Sequence, residues 1–391
     1  MGTLSNFEWP PRSQTEVYSP RVPRPGPTLC LAFVVLAGFV LFGPVRNYYV
    51  QWSAIRKMQA AFLAKDHAEE FRQLSLLAKM GNPDAEYGLG GQYWEGLGVA
   101  QNRQKALDWW RKAADGGNAQ AAYTIGRAYY VGEGVEKDDK AAATWVRKAA
   151  DKEDPNGQCL LGTLYARGHG VDQDFNTAFE WWMKAAARGQ VDAQAAIGNA
   201  YALGSGVGKD DVQAVVWYRK AAEQGNVPAQ SAIGYAYATG TGVARSDTEA
   251  ASWWLKAASQ GDAYAQASLG IAYSTGAGLT QNDENAVSWW LKAAKQGDVS
   301  AELYLAAAYA NGKGIAKDEK SAEFWFMAAA KAGNVEAELN LGKLYYAGIG
   351  GKPNYAEAAK WFVKAAGHGN EEAKTFLKLM QQNGQFDSKT L

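Results

Sequence analysis

The sequence predicts an all-α protein, an α-solenoid of eight 36-residue helix-turn-helix repeats with a single transmembrane helix near the N-terminus. Three observations support this fold class. A 36-residue unit returns eight times between residues 81 and 368 without insertion or deletion. Each unit carries the start and stop signals of two helices. An uncharged apolar run at residues 25–45 precedes the units. Repetition at a period of about 20 to 50 residues is typical of solenoids, which grow by stacking similar helix pairs.

The repeat is clearest at residues 225–260, GNVPAQSAIGYAYATGTGVARSDTEAASWWLKAASQ. We number the copies repeat 1 to repeat 8 in chain order. Their first residues are Gly81, Gly117, Glu153, Gly189, Gly225, Gly261, Gly297 and Gly333, and the last copy ends at His368.

The first half of each repeat predicts a helix. Its second position is Asn or Asp in seven repeats, side chains that cap helix N-termini: Asn82, Asn118, Asp154, Gln190, Asn226, Asp262, Asp298 and Asn334. A helical stripe follows, which in repeat 5 consists of Ala229, Ile233 and Tyr237. The tyrosine is invariant: Tyr93, Tyr129, Tyr165, Tyr201, Tyr237, Tyr273, Tyr309 and Tyr345. The helix is expected to end at a Gly-x-Gly pair such as Gly240 and Gly242, whose first glycine suits a left-handed terminus.

The second half of each repeat predicts another helix with its own cap. The cap residues are Asn102, Asp138, Asp174, Asp210, Ser246, Asn282, Asp318 and Asn354. Three of them have capping-box spacing: Ser246 with Glu249, Asp210 with Gln213 and Asn354 with Glu357. An invariant Trp lies on this helix: Trp109, Trp145, Trp181, Trp217, Trp253, Trp289, Trp325 and Trp361. We interpret this Trp series as core packing between crossing helices rather than a ligand site.

A lysine recurs three residues after the Trp in seven repeats: Lys112, Lys148, Lys184, Lys220, Lys256, Lys292 and Lys364. It lies near the C-terminal end of the predicted second helix, where the helix dipole favours a cation. We therefore expect it on a solvated face.

The combined pattern A-x-x-x-[LI]-G-x-x-Y-x-x-G-x-G-V and A-x-x-W-x-x-K-A-A resembles the Sel1-like repeat, a relative of the tetratricopeptide repeat. The resemblance covers residues 81–368. It implies a right-handed α-solenoid that acts as an adaptor by binding other proteins. Bacterial members of the family include envelope-assembly scaffolds and immunity proteins that neutralise phospholipase toxins delivered between cells.

Charge and cysteine content indicate which class of partner and which covalent link are not expected. The 391-residue chain has 40 Lys and Arg against 40 Asp and Glu, and no Lys/Arg cluster. A nucleic-acid partner normally requires a basic footprint, so we expect no nucleic acid. The two cysteines, Cys30 and Cys159, lie in unrelated segments and are not expected to pair.

The segment before the repeats predicts a membrane anchor. Residues 1–27 hold six of the eleven prolines and are expected to form a disordered tail. The run at residues 25–45 would extend about 31 Å as a helix, the thickness of a bilayer core, and it predicts a transmembrane anchor at residues 28–46. A cleaved signal peptide is the alternative, but no small-x-small cleavage site follows the run.

The orientation of this anchor in the membrane is predicted from the kind of hydrophobic segment it is. Three arginines precede the run and four basic residues follow it closely, so the positive-inside rule does not decide. An uncleaved first hydrophobic segment commonly acts as a signal anchor. We therefore expect a single-pass inner-membrane protein whose solenoid is periplasmic.

Two segments are expected to cap the solenoid. Residues 53–80 have a helical pattern that ends as the degenerate second helix of a missing repeat. Residues 369–391 comprise a final helix, beginning at Asn370 and ending near Gln381, and a polar tail. Terminal units must cover the apolar edge of the outermost repeats.

The sequence predicts no catalytic residue, no metal site and no cofactor. The three histidines, His67, His169 and His368, lack metal-ligand spacing. Cys159 is interpreted as a small buried hydrophobe. The pair Asp138 and Asp139 is compatible with calcium, but its place at a helix start favours capping. We do not expect an enzyme.

Binding specificity is expected where the repeats differ on the concave face of the first helices. One variable position reads Gly91, Arg127, Thr163, Asn199, Tyr235, Ile271, Ala307 and Lys343, and the position three residues later reads Trp94, Tyr130, Ala166, Ala202, Ala238, Ser274, Ala310 and Tyr346. Aromatic ends and a small-residue middle suggest a groove with a smooth floor and gripping ends; tight curvature explains the small residues equally well. Aromatic and Arg side chains dominate binding energy at interfaces. The predicted partner-binding residues are Trp94, Arg127, Tyr130, Asn199, Tyr235, Ile271, Lys343 and Tyr346.

The leading functional hypothesis is an immunity protein that binds a secreted phospholipase-type toxin in the bacterial envelope. It is motivated by a single anchor, one large concave face and no further domain. The alternative is a scaffold for cell-wall or exopolysaccharide assembly. A carbohydrate-active enzyme is disfavoured, because the variable positions offer Glu95 and few other carboxylates.

Overall fold

The structure is a computed structural model that describes residues 42–385, with side chains from residue 47 onward. Within these residues the chain forms 19 α-helices and one isolated β-bridge, between Ile349 and Lys352. The helices before and within the first repeats are α1 (Phe42–Leu63), α2 (His67–Lys79), α3 (Pro83–Glu95), α4 (Arg103–Asp115), α5 (Ala119–Val131), α6 (Asp139–Asp151) and α7 (Pro155–Arg167). They are followed by α8 (Phe175–Ala187), α9 (Val191–Leu203), α10 (Asp211–Glu223), α11 (Val227–Thr239), α12 (Asp247–Ser259), α13 (Ala263–Thr275), α14 (Asp283–Ala294), α15 (Val299–Asn311), α16 (Glu319–Lys331), α17 (Val335–Ala347), α18 (Tyr355–Gly367) and α19 (Glu371–Gln382).

The chain divides into two compact units, the first ending at Asp174 and the second beginning at Phe175. Within each unit, consecutive helices pack against each other. This sequential stacking of helix pairs is a solenoid, so the predicted all-α solenoid is confirmed.

The 36-residue period continues by one helix at each end. The second helix α4 of repeat 1 begins at Arg103, and α2 begins 36 residues earlier at His67. Asp66 caps α2 in the same way that Asn102 caps α4, by accepting a hydrogen bond from the amide three residues ahead. The helix α19 begins 36 residues after α17 and is capped by Asn370.

The predicted first-helix caps are confirmed in all eight repeats. In each, the side-chain oxygen accepts a hydrogen bond from the backbone amide three residues ahead, and even Gln190 does so, at 2.6 Å from the Ala193 amide. Seven second helices are capped in the same way, by Asn102, Asp138, Asp210, Ser246, Asn282, Asp318 and Asn354.

The predicted capping boxes form only half of their bonds. Ser246 Oγ accepts from the Glu249 amide at 3.3 Å, as expected. The Ser246 amide, which a capping box would pair with the Glu249 side chain, instead donates to the Tyr237 carbonyl at 2.9 Å. The cap amides of all eight repeats make this bond to the carbonyl of the invariant Tyr. The amide of the cap residue is therefore satisfied by the Tyr carbonyl, and the Glu or Gln side chain of a capping box is not needed for it.

The Gly-x-Gly pair ends the first helix and seats the loop on the preceding repeat. Gly240 is left-handed, with φ 74° and ψ 21°, as are its counterparts in repeats 1 to 7. Gly242 also has positive φ, and a Cβ there would lie 2.1 Å from the Asp211 carbonyl oxygen. Only glycine permits this approach. Repeat 8 departs from the pattern, because Gly348 has ψ 119° and the loop continues into the β-bridge.

The interpretation of the invariant Trp series as core packing is supported: Trp253 belongs to a core cluster, and Trp109, Trp145, Trp289, Trp325 and Trp361 pack against such clusters. Of these eight tryptophans only Trp253 is buried, and the others are half-buried. The residue that follows the Trp is buried in six repeats. In repeats 1, 2, 4, 5, 6 and 8 it packs into the space above a first-helix glycine. A Cβ on Gly270, for example, would lie 2.2 Å from Trp290 Nε1. Successive helical residues point about 100° apart, so the residue after the Trp faces the first helix while the invariant Trp lies at the margin of the core.

Most of the predicted N-terminal segment lies outside the described residues. The predicted tail at residues 1–27 is not described. Of the predicted anchor at residues 28–46, residues 28–41 are not described and residues 42–46 form the start of α1. In the part of the chain from residue 42 to residue 385, no helix combines the length and apolar character needed to span a bilayer.

Candidate functional site

An exposed aromatic surface lies on the first helices of repeats 5 to 7. Tyr235 on α11, Tyr264 and Ile271 on α13, and Tyr304 on α15 are 51%, 46%, 37% and 39% exposed. We call these four residues the first-helix patch. Large apolar or aromatic side chains exposed together mark interaction sites more often than single exposed residues do.

The repeat places these side chains on one face. Within α13, residues 264 and 271 are seven positions apart, two helical turns, and so point the same way. Tyr235 occupies in repeat 5 the position that Ile271 occupies in repeat 6. Helix α13 contacts both α11 and α15, which brings the four residues onto neighbouring helices of the second unit.

Contacts beneath the patch hold its rings. Tyr304 stacks on Trp290, with ring centroids 5.3 Å apart and an interplanar angle of 23°. Burial raises the pKa of the Tyr264 phenol, and the nearby Tyr235, Asp262 and Asp298 raise it further, against a lowering hydrogen bond with Ser268. The Tyr264 phenol therefore stays a neutral hydrogen-bonding group.

The patch includes two predicted binding residues and two that the sequence analysis missed. Tyr235 and Ile271 were predicted, whereas Tyr264 and Tyr304 were not. The signal for them was present, because Tyr264 lies seven residues before Ile271 on the same helical stripe. Tyr264 and Tyr304 occupy other positions of the repeat than Tyr235 and Ile271 do. Comparing a single aligned position across the repeats therefore does not reveal them.

Other predicted residues of the second unit are engaged within the fold. The half-buried Asn199 accepts a hydrogen bond from the Tyr218 hydroxyl at 2.7 Å. Lys343 pairs with Glu372 of α19 at 2.7 Å. Tyr346 packs against Tyr355 and Phe376, with centroid distances of 5.5 and 5.8 Å.

In the first unit the predicted aromatic residues also pack within the fold. Tyr130 is only 8% exposed, and its hydroxyl lies 3.2 Å from Arg167 Nη1 of the next repeat. Trp94 is half-buried against Trp110, with centroids 5.0 Å apart. Arg127 is exposed and lies 3.6 Å from Glu133.

The expectation of gripping aromatic ends and a smooth middle stays a prediction. Trp94, Tyr130 and Tyr346 are packed by adjoining repeats or by the terminal helix, while exposed rings occur in repeats 5 to 7. The eight residues stay predictions as a binding set. Exposure favours Arg127, Tyr235 and Ile271 among them.

The described residues contain no group of three or more His, Cys, Asp or Glu side chains that could hold a metal ion. Asp138, considered above for calcium, accepts hydrogen bonds from the Lys140 and Ala141 amides and so is a helix cap. His368 Nδ1 lies 2.9 Å from Oε2 of the buried Glu338, a contact within repeat 8.

Comparison with known families finds a model described as Sel1 repeat. It matches eight adjoining segments of the chain: residues 83–118, 119–154, 155–190, 191–226, 227–262, 263–298, 299–334 and 335–370. These segments have the same 36-residue period as the repeats above, displaced by two residues. Among curated proteins, none matches the chain.

Comparison with solved structures finds similar helical repeat proteins. The protein c5321, a protective antigen present in uropathogenic Escherichia coli strains and displaying an SLR fold, is 35% identical over 80% of this chain and 67% of its own, with a TM-score of 0.74. A Sel1 repeat protein from Oxalobacter formigenes is 34% identical over 62% of this chain and 96% of its own, with a TM-score of 0.56. Immunity protein Pa5087 from Pseudomonas aeruginosa matches at 19% identity over 55% of this chain and 81% of its own, with a TM-score of 0.35. At that identity and TM-score, the last match carries no argument about function.

Proposed function

The chain belongs to the Sel1 repeat family, and from this premise we propose that it is a non-enzymatic solenoid that binds a protein partner through the first-helix patch. The observation that carries the proposal is the exposure of three tyrosines and an isoleucine on adjoining first helices. Tyrosine offers a large amphipathic contact surface at a low cost in side-chain entropy. Such residues are enriched among those that dominate binding energy.

The chemistry of the patch indicates the kind of surface it binds. Its four side chains carry no charge at neutral pH, and its tyrosines present hydroxyl groups at the rim of apolar rings. Trp290 fixes one of these rings from below. A partner surface with apolar side chains and a few hydrogen-bonding groups complements this arrangement.

We propose further that the partner is a secreted toxin in the bacterial envelope and that the chain is membrane-tethered and periplasmic. The apolar run at residues 25–45 supports the tether. The family that the sequence resembles includes toxin-neutralising proteins, which supports a toxin as the partner. A scaffold for wall or exopolysaccharide assembly is the alternative that the same resemblance offers.

The test is affinity capture with the full chain from envelope extracts, followed by mass spectrometry. Wild-type protein is compared with a patch variant, Tyr235→Ser with Tyr304→Ser. The matched control is Val216→Ser with Leu255→Ser, which changes two exposed apolar residues of second helices. A thermal transition measured for each variant verifies that it folds.

Each outcome is decisive for one part of the proposal. One dominant lipase-like protein that the patch variant fails to retain supports the immunity function. Several wall or polysaccharide-assembly proteins lost together support the scaffold. Retention of the same proteins by wild type and patch variant contradicts the assignment of the patch.

A further inference from the structure

A lysine covers the invariant Trp in seven of the eight repeats. Its Nζ lies 3.7 to 5.2 Å from the centroid of the ring three residues earlier, in the pairs Lys112–Trp109, Lys148–Trp145, Lys184–Trp181, Lys220–Trp217, Lys256–Trp253, Lys292–Trp289 and Lys364–Trp361. A cation within about 6 Å of an indole ring is attracted to its face. Repeat 7 has Ala328 at this position, and none of the described cations lies over its Trp325.

In repeats 1 and 8 the same lysine also pairs with a buried carboxylate. In repeat 1, Lys112 Nζ lies 2.9 Å from Oε1 of the buried Glu86. In repeat 8, Lys364 Nζ lies 2.9 Å from Oε1 of Glu338, which is fully buried. The Trp face and the carboxylate thus form a single lysine site with two walls.

Repeat 7 keeps both walls and lacks the lysine. Glu302 occupies the position of Glu86 and Glu338 and is 8% exposed. Within residues 42–385, no side chain donates to or pairs with its carboxylate. Burial raises the pKa of Glu302, and the nearby Asp298 raises it further. The Glu302 carboxylate therefore lacks the lysine partner that Glu86 and Glu338 each have.

A third feature of repeat 7 extends this site. Phe324 is 62% exposed and meets Trp325 edge to face, with centroids 4.9 Å apart. The other repeats have no aromatic residue at this position: Asp108, Thr144, Glu180, Val216, Ser252, Ser288 and Lys360. The repeat without its lysine is thus also the one with an added exposed ring.

We propose that Glu302, Trp325 and Phe324 form a receiving site for a lysine side chain of a protein partner. The lysine ammonium pairs with Glu302 and lies over the Trp325 ring, as the ammonium groups of the chain's own Lys112 and Lys364 do in repeats 1 and 8. The inference rests on the proposed function, because the lysine comes from a bound protein. It concerns a different surface, formed by a second helix and by the side of α15 opposite Tyr304.

The test uses the full chain and a short peptide as the probe. The peptide acetyl-Ala-Lys-Ala-amide is titrated to about 20 mM, a range suited to one ion pair with one cation–π contact. The readout is the indole N–H resonance of Trp325, assigned with Trp325→Phe. The control peptide replaces lysine by norleucine, which keeps the methylene chain and lacks the ammonium. The control protein is Ala328→Lys, which supplies the lysine from the chain itself.

The expected result is a saturable shift of the Trp325 resonance with the lysine peptide, at least tenfold weaker binding of the norleucine peptide, and no shift in Ala328→Lys. Ala328→Lys should also raise the melting temperature above that of Ala328→Met, and Glu302→Gln should remove that difference. Absence of a saturable shift, or equal shifts with the two peptides, would overturn the proposal. Because the titration needs no partner protein, its failure is distinguishable from failure of the first-helix patch in affinity capture.

Discussion

Tyr304 of α15 lies flat on Trp290 of α14, with ring centroids 5.3 Å apart. Trp290 is a core residue that fills the space above Gly270, whereas Tyr304 is exposed. The contact therefore joins the first-helix patch directly to the packed interior of repeat 6. A ring held in this way loses little further conformational entropy when a partner binds, which favours affinity.

The close contact between first-helix glycine and second-helix aromatic can be tested at two adjacent residues. A Cβ on Gly90 would lie 2.3 Å from Trp110 Cδ1, whereas a Cβ on Gly91 would meet nothing within 4 Å. We expect Gly90→Ala to lower the free energy of unfolding by about 1–3 kcal/mol through overpacking. Gly91→Ala should raise it by about 0.5–1 kcal/mol through helix propensity. Urea unfolding measures both, and equal effects would contradict the packing described.

The two glycines of the loop in repeat 5 should differ in their tolerance of a side chain. Both have positive φ, so alanine at either costs about 1–2 kcal/mol of backbone strain. A Cβ on Gly240 meets its nearest neighbour at 3.4 Å, whereas one on Gly242 meets the Asp211 carbonyl at 2.1 Å. We expect Gly242→Ala to lower the melting temperature clearly more than Gly240→Ala does. A larger loss for Gly240→Ala would show that the loop does not seat on α10 as described.

The ion pair between Lys364 and Glu338 in repeat 8 should contribute to stability as a buried ion pair does, so that removing one partner is costly. Lys364 pairs with the fully buried Glu338, so Lys364→Met leaves a buried carboxylate with His368 as its remaining partner. We expect a loss of about 1–3 kcal/mol, much of which Glu338→Gln should restore in the double variant. The control is Lys360→Met, which breaks the exposed pair with Glu357 and should cost about 0–1 kcal/mol. A double variant no more stable than Lys364→Met would contradict the pairing.

The raised pKa of Glu302 predicts a pH-dependent effect of Glu302→Gln. A carboxyl whose pKa is higher in the folded than in the unfolded chain contributes stability below the unfolded value and loses it as pH rises through the folded value. Burial and then Asp298 raise this pKa above the ordinary 4.5. We therefore expect Glu302→Gln to be more stable than wild type at pH 7, with the difference shrinking towards pH 4. Melting temperatures across this range test the prediction, and a difference that grows on acidification would contradict it.

Features set by local backbone chemistry could be predicted from the sequence. Asn226 and Gly240 mark the ends of α11 because a cap and a left-handed turn depend on one residue and its immediate neighbours. The period then transfers these assignments to every repeat. The half-repeat expected before repeat 1 corresponds to α2, since Asp66 and Asn102 occupy the same position of the 36-residue unit.

Features set by contacts between repeats could not be predicted in the same way. Adjacent aromatics such as Trp109 and Trp110 differ only in direction around the helix, and the invariance of Trp109 does not reveal which of the two faces the core. Tyr130 and Tyr235 both appeared available on a first helix, but Arg167 of the following repeat reaches the Tyr130 hydroxyl. The burial of Tyr130 therefore includes a contact from the neighbouring repeat, which the position within a single repeat does not reveal.

The most direct test of the central claim is the affinity of the captured partner for the patch variant. Isothermal titration calorimetry would compare wild type, Tyr235→Ser with Tyr304→Ser, and the second-helix control Val216→Ser with Leu255→Ser. Loss of two aromatic anchors should weaken binding at least about tenfold, equivalent to ~1.4 kcal/mol, while the control stays near wild type. Equal dissociation constants for the patch variant and wild type would contradict the claim that the partner binds the first-helix patch.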